Sequence, residues 1–283
     1  MKKAVFRQPG EGYRRVHAPS NNRGCAVAQP GFEVFLLRRH QRASFMASMF
    51  VFPGGATEPG EDARTAAARE LFEEAGVLLA RAATPIDSQT LEIPVVGVLR
   101  RRILGGAPAP AALAAVGLAW STEMLVPWSH WITPSIEPRR FSARFFTCEM
   151  PSGQIPSFDD VETVEQQWVT PREALARAGE LQLPPPQIRT FWELSQLDTI
   201  EEVLAAGRAR GDEPHPIMPR LRAEQPGQPR CLLLPWDPEY TETGTGDATP
   251  LTYTPSWATG PSRFILEERT WKHVDAAGST ISV

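Results

Sequence analysis

The stretch that decides the fold runs from Gly55 to Val77, with the sequence GATEPGEDARTAAARELFEEAGV. Between Asp62 and Ala75 it contains no proline or glycine, and it is dominated by alanine, leucine, arginine and glutamate. These residues favour helix, whereas Gly76 stands where a left-handed C-terminal cap belongs. We therefore predict a helix over residues 62–75 that ends at Gly76.

Three carboxylates share one face of this helix. At about 100° per residue, Glu73 and Glu74 lie within an arc of about 100° that includes Glu70. Their mutual repulsion favours a bound cation, and carboxylate oxygens without a neighbouring histidine or cysteine favour Mg²⁺ or Mn²⁺ over zinc. The adjacent face is apolar and is expected to dock on a sheet, which would fix the direction of the acidic face; it carries Ala67, Ala68, Leu71, Phe72 and Ala75.

The residues around the acidic face also have expected roles. Arg69 lies four residues before Glu73, so it can orient that carboxylate. Glu61 would project away from the acidic face if it were helical, so we place it at the loop-to-helix junction, where it braces the loop. Gly54 and Gly55 leave bare backbone that can approach a phosphate or present a carbonyl oxygen to a metal.

Composition limits the class of protein. The chain has 283 residues, of which 42% are hydrophobic and 22% charged, which fits one principal domain with an extension. Its net charge of −4 offers no footprint for a nucleic-acid duplex. We find no membrane-spanning stretch and no apolar segment of a secretion signal. Three widely spaced cysteines argue for a reducing compartment, so we expect a cytoplasmic protein.

Local patterns predict an α/β organisation in three parts. These are an irregular N-terminal arm over residues 1–20, a main domain over 21–210 and a Pro/Gly-rich C-terminal extension over 211–283. Alternating and apolar runs predict strands at 25–28, 32–39, 50–52, 124–133, 141–150 and 163–169. Further helices are expected within 85–120, from Pro171, and over 187–210, the last from apolar residues three or four apart. In the extension, only residues 231–236 and 264–274 resemble strands.

The segment from Gly55 to Val77 resembles the Nudix box, with every constrained position filled. An accidental match at background residue frequencies has a probability on the order of one in ten million. The resemblance to Nudix hydrolases implies an α/β/α sandwich with a mixed sheet and the metal-dependent cleavage of a pyrophosphate linked to another moiety. It further implies that Glu70, Glu73 and Glu74 hold the metal and that Gly55 supplies a backbone oxygen. The partner that it implies is a small-molecule pyrophosphate, and a homodimer is a common assembly in this family.

A closer resemblance is to the peroxisomal coenzyme A diphosphatase branch of that family. It is carried by LLRR at 36–39, FPGG at 52–55, WSHWITP at 128–134, RRF at 139–141 and LPPPQ at 183–187. This branch splits coenzyme A or acyl-coenzyme A into 3',5'-adenosine bisphosphate and a phosphopantetheine product. Two positions depart from its basic motif, since Ser44 stands for an expected arginine and Ser48 for an expected glycine. The final residues are not a peroxisomal address, which favours the cytoplasm.

Candidate residues outside the box complete the expected site. By resemblance, Glu162 is a further acidic ligand or general base, whereas Arg39 and Arg140 can pair with phosphates through their guanidinium groups. Two alternatives stay open at this point. The substrate could instead be ADP-ribose, a dinucleotide or a nucleotide sugar, or the chain could be a catalytically silent binding module of the same fold.

Overall fold

A computed structural model of the chain describes residues 2–7, 31–42, 47–83, 93–158, 162–223 and 227–279. The predicted strand at 25–28 and Ser44 lie outside these residues. The helices are α1 (Ala63–Ala75), α2 (Ile93–Leu104), α3 (Ala109–Ala114), α4 (Pro171–Ala176), α5 (Pro185–Leu194) and α6 (Ile200–Ala209). The strands are β1 (Lys2–Arg7), β2 (Glu33–Arg39), β3 (Phe50–Val51), β4 (Ala80–Ala82), β5 (Leu118–Trp120), β6 (Val126–Ile132), β7 (Ser142–Glu149), β8 (Thr163–Val169), β9 (Pro216–Ile217), β10 (Arg220–Arg222), β11 (Cys231–Leu233), β12 (Gly244–Thr245), β13 (Arg263–Glu267) and β14 (Thr270–Val274).

Within the described residues, the main sheet has seven strands, and β2 lies next to the edge strand β8. Strand β8 pairs with β2 from Val34 to Arg39, so β1 and β3 share the opposite edge of β2. Beyond β1 the order continues through β7 and β6 to β9. Because β1 runs parallel to β7 and β9 runs parallel to β6, whereas the other pairs are antiparallel, the predicted mixed sheet is confirmed.

Side chains of β2 alternate between two cores on opposite faces of this sheet. Phe35 and Leu37 pack in one core with the apolar face of α1, as predicted. Val34 and Leu36 face the other core, which contains buried side chains of α5 and α6. Period-two alternation therefore gives a sheet covered on both faces, and the predicted α/β/α sandwich is confirmed.

The segment between α1 and β6 forms a separate small layer. Helices α2 and α3 occur within residues 85–120, as the sequence predicts, and β4 pairs with β5. Their apolar side chains, including Leu99, Ile103 and Leu113, pack against Phe72 of α1. Phe72 therefore faces α2 and α3, on a different side of α1 from Leu71.

Residues 2–7 correct the prediction of an irregular N-terminal arm. They form β1, which pairs in parallel with β7 from Phe145 to Glu149 and adjoins the start of β2. Val5 and Phe6 are fully buried on opposite faces of the sheet. The six residues of β1 could not reveal this strand by themselves, because the partner that satisfies its backbone lies far along the chain.

The prediction of one continuous helix over residues 187–210 is wrong, because the structure has two helices there. Helix α5 ends at Leu194, and α6 begins only at Ile200 after an N-cap at Thr199. Apolar residues recur on both sides of the break, so the periodicity alone suggested a single helix. The cap residue supplies a local alternative partner for the backbone and starts a new helix.

The C-terminal part of the chain is more ordered than its composition suggests. Of the strand-like segment 231–236, only Cys231–Leu233 forms a strand, and 264–274 contains the hairpin of β13 and β14. In the described part of the chain these strands belong to a five-stranded antiparallel sheet of order β12, β10, β11, β13, β14. Leu232, Leu234 and Phe264 enter the same core as α5. Strand β9 also joins the main sheet, so that sheet extends past the predicted boundary at residue 210. Within the described residues, no helix combines the length and apolar character required to cross a membrane.

Candidate functional site

Helix α1 is fixed at both ends by local caps. The side chain of Asp62 accepts a hydrogen bond from the N–H of Thr65 at 2.8 Å. At the other end, Gly76 has φ 67° and donates its N–H to the carbonyl of Phe72 at 2.9 Å. Only glycine adopts this left-handed conformation without a steric cost. The predicted helix and its C-terminal cap are therefore confirmed.

Arg69 donates hydrogen bonds to carboxylates of this helix and of the loop before it. Its Nε and Nη2 donate to the two carboxylate oxygens of Glu61, each at 3.0 Å. Nη1 donates to Glu70 at 3.1 Å and to Glu73 at 2.9 Å. Nη2 also donates to the carbonyl of Ala56 at 2.9 Å. The guanidinium therefore links the loop before the helix to two of the three box carboxylates, and Glu61 braces the loop as expected.

The charged groups of this cluster change one another's pKa values. Burial alone would lower the pKa of Arg69, but the hydrogen bond to Glu61 and the charges of Glu70 and Glu73 raise it above its usual range. Burial raises the pKa of Glu73; attraction to Arg69 opposes this shift, and the charge of Glu70 adds to it. The carboxylates are thus crowded in a partly desolvated place, where a further cation would relieve their repulsion.

The glycine loop packs directly on the acidic face. The N–H of Gly54 donates to Glu74 at 2.6 Å, and the side chain of Glu74 is buried. A Cβ at Gly55 would overlap the carboxylate of Glu70. This backbone can lie so close because neither residue has a side chain. Gly54 therefore positions Glu74 through its amide, which is a more specific contact than the bare backbone anticipated from the sequence.

The chemistry of these donors fits a hard divalent cation, but their arrangement is not a preformed cage. Three carboxylates and a backbone carbonyl are the oxygen donors that Mg²⁺ and Mn²⁺ prefer. Among the residues that the structure describes, however, no group of three or more acidic, histidine or cysteine side chains lies close enough to hold a metal ion. Glu70 and Glu73 are directed at Arg69, whereas Glu74 is directed at Gly54.

Two candidates outside the box lie side by side at the end of β2. Arg39 is opposite Thr163 in the β2–β8 ladder, and the neighbouring His40 donates its N–H to the carbonyl of Glu162 at 2.9 Å. The Nε of Arg39 is buried without a hydrogen-bond partner among the described residues. The side chain of Glu162 is exposed. The structure therefore brings Arg39 and Glu162 to one edge of the sheet.

Ser48 and Arg140 lie in connecting segments. Ser48 has φ 62°, in the region that favours glycine, which is the residue that the branch pattern expects at this position. Arg140 is exposed before β7 and donates to the carbonyl of Thr133 at 3.2 Å and to the sulfur of Met218 at 3.5 Å. Its contacts within the described residues brace the β6–β7 hairpin and include none of the box carboxylates.

Arg100 is a contact of the site that the sequence does not single out. It lies in α2 and reaches the C-terminal end of α1. In the sequence it is the first of three consecutive arginines, and nothing local distinguishes it from Arg101 and Arg102. Only the packing of α2 against α1 shows which of the three faces the site.

Comparisons with known proteins agree on one family. Residues 59–197 match a family model described as the NUDT19 Nudix domain. A putative nudix hydrolase 7 from Caenorhabditis elegans is 32% identical over 171 residues, covering 58% of this chain and 56% of that protein. Acyl-coenzyme A diphosphatase NUDT19 from Xenopus laevis is 28% identical over 230 residues, covering 59% of this chain and 60% of that protein. The chain thus spans less than two thirds of the length of either relative.

A solved structure shows the same fold. The crystal structure of a NUDIX hydrolase from Alicyclobacillus acidocaldarius matches with a TM-score of 0.56 and 24% sequence identity. The match covers 72% of this chain and 93% of that one. Because the identity is low, this likeness supports only the architecture, a sheet covered on both faces, and does not identify a substrate.

Proposed function

The chain belongs to the Nudix superfamily, and we propose that it is a metal-dependent pyrophosphohydrolase acting on a nucleoside diphosphate linked to another moiety. The proposed substrate is coenzyme A or acyl-coenzyme A, because a relative named acyl-coenzyme A diphosphatase matches over 230 residues. The observation that carries the proposal is the cluster in which Arg69 holds the carboxylates of Glu70 and Glu73 beside the glycine loop.

We assign the metal to Glu70, Glu73, Glu74 and the carbonyl of Gly55, with Mg²⁺ or Mn²⁺ as the ion. The oxygen donors support this assignment, as do the burial and the neighbouring charge of Glu70 that raise the pKa of Glu73. When bound, the cation neutralises charge on the pyrophosphate oxygens and makes water more acidic. Arg69 orients Glu70 and Glu73, and its bonds to the loop keep that orientation relative to the backbone of Gly55.

On the substrate side, we assign phosphate binding to Arg39 and Arg140 and a general-base or ligand role to Glu162. The unpartnered Nε supports Arg39, because a buried donor without a partner gains most from an incoming phosphate oxygen. The role of Glu162 is supported by its backbone position, because it directly precedes the ladder partner of Arg39. Gly54 contributes by holding Glu74 next to the place assigned to the metal.

A substrate panel tests the proposed substrate. Coenzyme A, an acyl-coenzyme A, ADP-ribose, a dinucleotide and a nucleotide sugar are incubated with Mg²⁺ or Mn²⁺, and the nucleotide products are separated by chromatography. We expect 3',5'-adenosine bisphosphate from the first two substrates at the highest kcat/KM. Faster cleavage of another compound would replace the proposed substrate. Tight binding without product from any of them would indicate a silent binding module.

Replacing either of two box glutamates tests the assigned chemistry. We expect Glu73→Gln and Glu74→Gln each to lower kcat by more than the roughly 100-fold that loss of an outer-shell partner costs, because each removes a charged ligand. The fold should persist, since an amide keeps the size of the side chain. Glu201→Gln, an exposed change on α6, is the matched control and should retain full activity. Wild-type turnover in either box variant would contradict the metal assignment.

A further inference from the structure

The C-terminal end of α1 requires partners for its backbone, because the last four carbonyls of a helix have no N–H within the helix. These carbonyls belong to residues 72–75. The first accepts from the N–H of Gly76, and the last accepts from the N–H of Ser157, both at 2.9 Å. The two between them are the carbonyls of Glu73 and Glu74, whose side chains the proposed function assigns to the metal.

Arg100 of α2 donates to both of these carbonyls. Its Nε and Nη2 lie 3.1 Å and 2.8 Å from the carbonyl oxygen of Glu73, and Nη2 lies 3.0 Å from that of Glu74. Its Nη1 donates to the hydroxyl of Ser157 at 2.8 Å. A Cβ placed at Gly76 would lie only 2.9 Å from Nη1, so the guanidinium is packed tightly against the end of the helix.

We propose that Arg100 is a positioning residue for the reaction, an inference that rests on the proposed function. By binding the carbonyls of Glu73 and Glu74, it takes the place of the helical turn that the chain does not form after Ala75. Its positive charge also lies at the negative end of the helix dipole. The final turn is therefore held from three sides, by the Gly76 cap, by Ser157 and by α2.

The physical consequence concerns the direction of the carboxylates. A helix end with unsatisfied carbonyls frays, and the side chains on a frayed turn lose their fixed direction. Outer-shell contacts of this kind set the geometry of metal ligands, and their loss lowers metal affinity or activity by about 10- to 100-fold. The hydrogen bonds from Arg100 to Glu73 and Glu74 go to their backbone carbonyls. The inferred effect of Arg100 on metal binding therefore acts through the orientation of these two residues.

The same helix provides matched controls. Arg101 and Arg102 carry the same charge, follow Arg100 directly and are exposed. The experiment compares Arg100→Gln and Arg100→Lys with Arg101→Gln in the full chain. It measures Mn²⁺ binding by calorimetry with the metal alone, kcat and KM for coenzyme A, thermal unfolding, and amide hydrogen exchange in a peptide covering residues 70–78.

We expect Arg100→Gln to lower kcat and weaken Mn²⁺ binding by about 10- to 100-fold, with KM changed much less. Exchange in residues 70–78 should become faster, and Arg100→Lys should recover part of each property because it retains a cationic donor. Arg101→Gln should match the wild type in all of them. A general loss of stability would not by itself lower kcat while KM changes much less, and it would not be rescued by lysine.

Three results would overturn the inference. The first is a folded Arg100→Gln variant with wild-type kcat and Mn²⁺ affinity. The second is an equal loss in Arg101→Gln. If Arg100→Gln does not fold, the third is an Arg100→Lys variant with wild-type metal affinity and exchange. If the wild type cleaves no pyrophosphate, the proposed function fails, and equal exchange in Arg100→Gln and Arg101→Gln would then reject the positioning role as well.

Discussion

At the scale of single residues, Arg69 organises the candidate site. Its guanidinium binds Glu61 through two parallel hydrogen bonds, and its remaining donors reach Glu70, Glu73 and the backbone of Ala56. A planar group with several fixed donors can hold several carboxylates in one geometry, which the flexible single ammonium of lysine cannot do. The pair with Glu61 therefore fixes the guanidinium that orients Glu70 and Glu73 in the proposed metal site.

The close contact between Gly55 and Glu70 gives a prediction at this scale. In Gly55→Ala, the new Cβ would displace the carboxylate of Glu70, so we expect weaker Mn²⁺ binding and at least about tenfold lower kcat. Calorimetry and steady-state kinetics measure the two effects. Gly97→Ala in α2 is the control, because its Cβ would meet only the end of Arg101 at 3.8 Å. Equal kinetics in the two variants would show that the Gly55 contact is unimportant.

At the scale of elements, the break between α5 and α6 depends on one capping box. The hydroxyl of Thr199 accepts from the N–H of Glu202 at 3.1 Å, and the carboxylate of Glu202 accepts from the N–H of Thr199 at 3.2 Å. The new helix direction brings α6 onto β6, where a Cβ at Gly207 would lie 2.7 Å from Val126. Local capping thus determines how α6 covers the sheet.

Removal of this cap should destabilise the protein without changing its catalytic residues. Thr199→Ala is expected to lower the free energy of unfolding by about 1 kcal/mol, because the first turn of α6 loses a hydrogen-bond acceptor. Urea unfolding monitored by circular dichroism measures the change. Thr252→Ala removes an exposed hydroxyl and should have little effect. If both variants lose the same stability, the capping box does not account for the start of α6.

At the scale of the whole molecule, Arg189 connects α5, which packs beside the main sheet, with the segment before β13 of the C-terminal sheet. It lies in α5, is fully buried and pairs with Glu193 at 2.8 Å. Its other donors bind three backbone carbonyls of the segment before β13, those of Trp257, Thr259 and Pro261. Because one buried cation satisfies groups from both parts of the chain, the C-terminal sheet is part of the same folded unit as the helices beside the main sheet.

Substitution of this arginine tests that connection. Arg189→Met keeps much of the apolar volume but leaves buried carbonyls without donors, so we expect a loss of about 3–5 kcal/mol in unfolding free energy. Arg177→Met removes the exposed pair between Arg177 and Glu180 and should cost less than about 1 kcal/mol. Guanidinium unfolding compares the two variants. A change in Arg189→Met as small as that in Arg177→Met would mean that Arg189 is not what holds the C-terminal sheet against α5.

Several features follow from the sequence by itself, because the interactions that create them are local. Helix propensity, the Asp62 cap and the left-handed position of Gly76 set the bounds of α1. Helical spacing also predicts that Glu70, Glu73 and Glu74 share one side of this helix. Strand β8 has the predicted bounds Thr163–Val169. These interactions join residues at most a few positions apart, so each is visible in a short stretch of sequence.

Other features were decided only by tertiary structure, since their partners are distant along the chain. Strand β1 exists because β7 satisfies its backbone, and the C-terminal sheet is held by buried contacts to α5. The direction of the box carboxylates depends on Arg69 reaching back to Glu61, and the end of their helix depends on Arg100. A period in the sequence tells which side of a helix is acidic, whereas only packing tells which distant donor meets it.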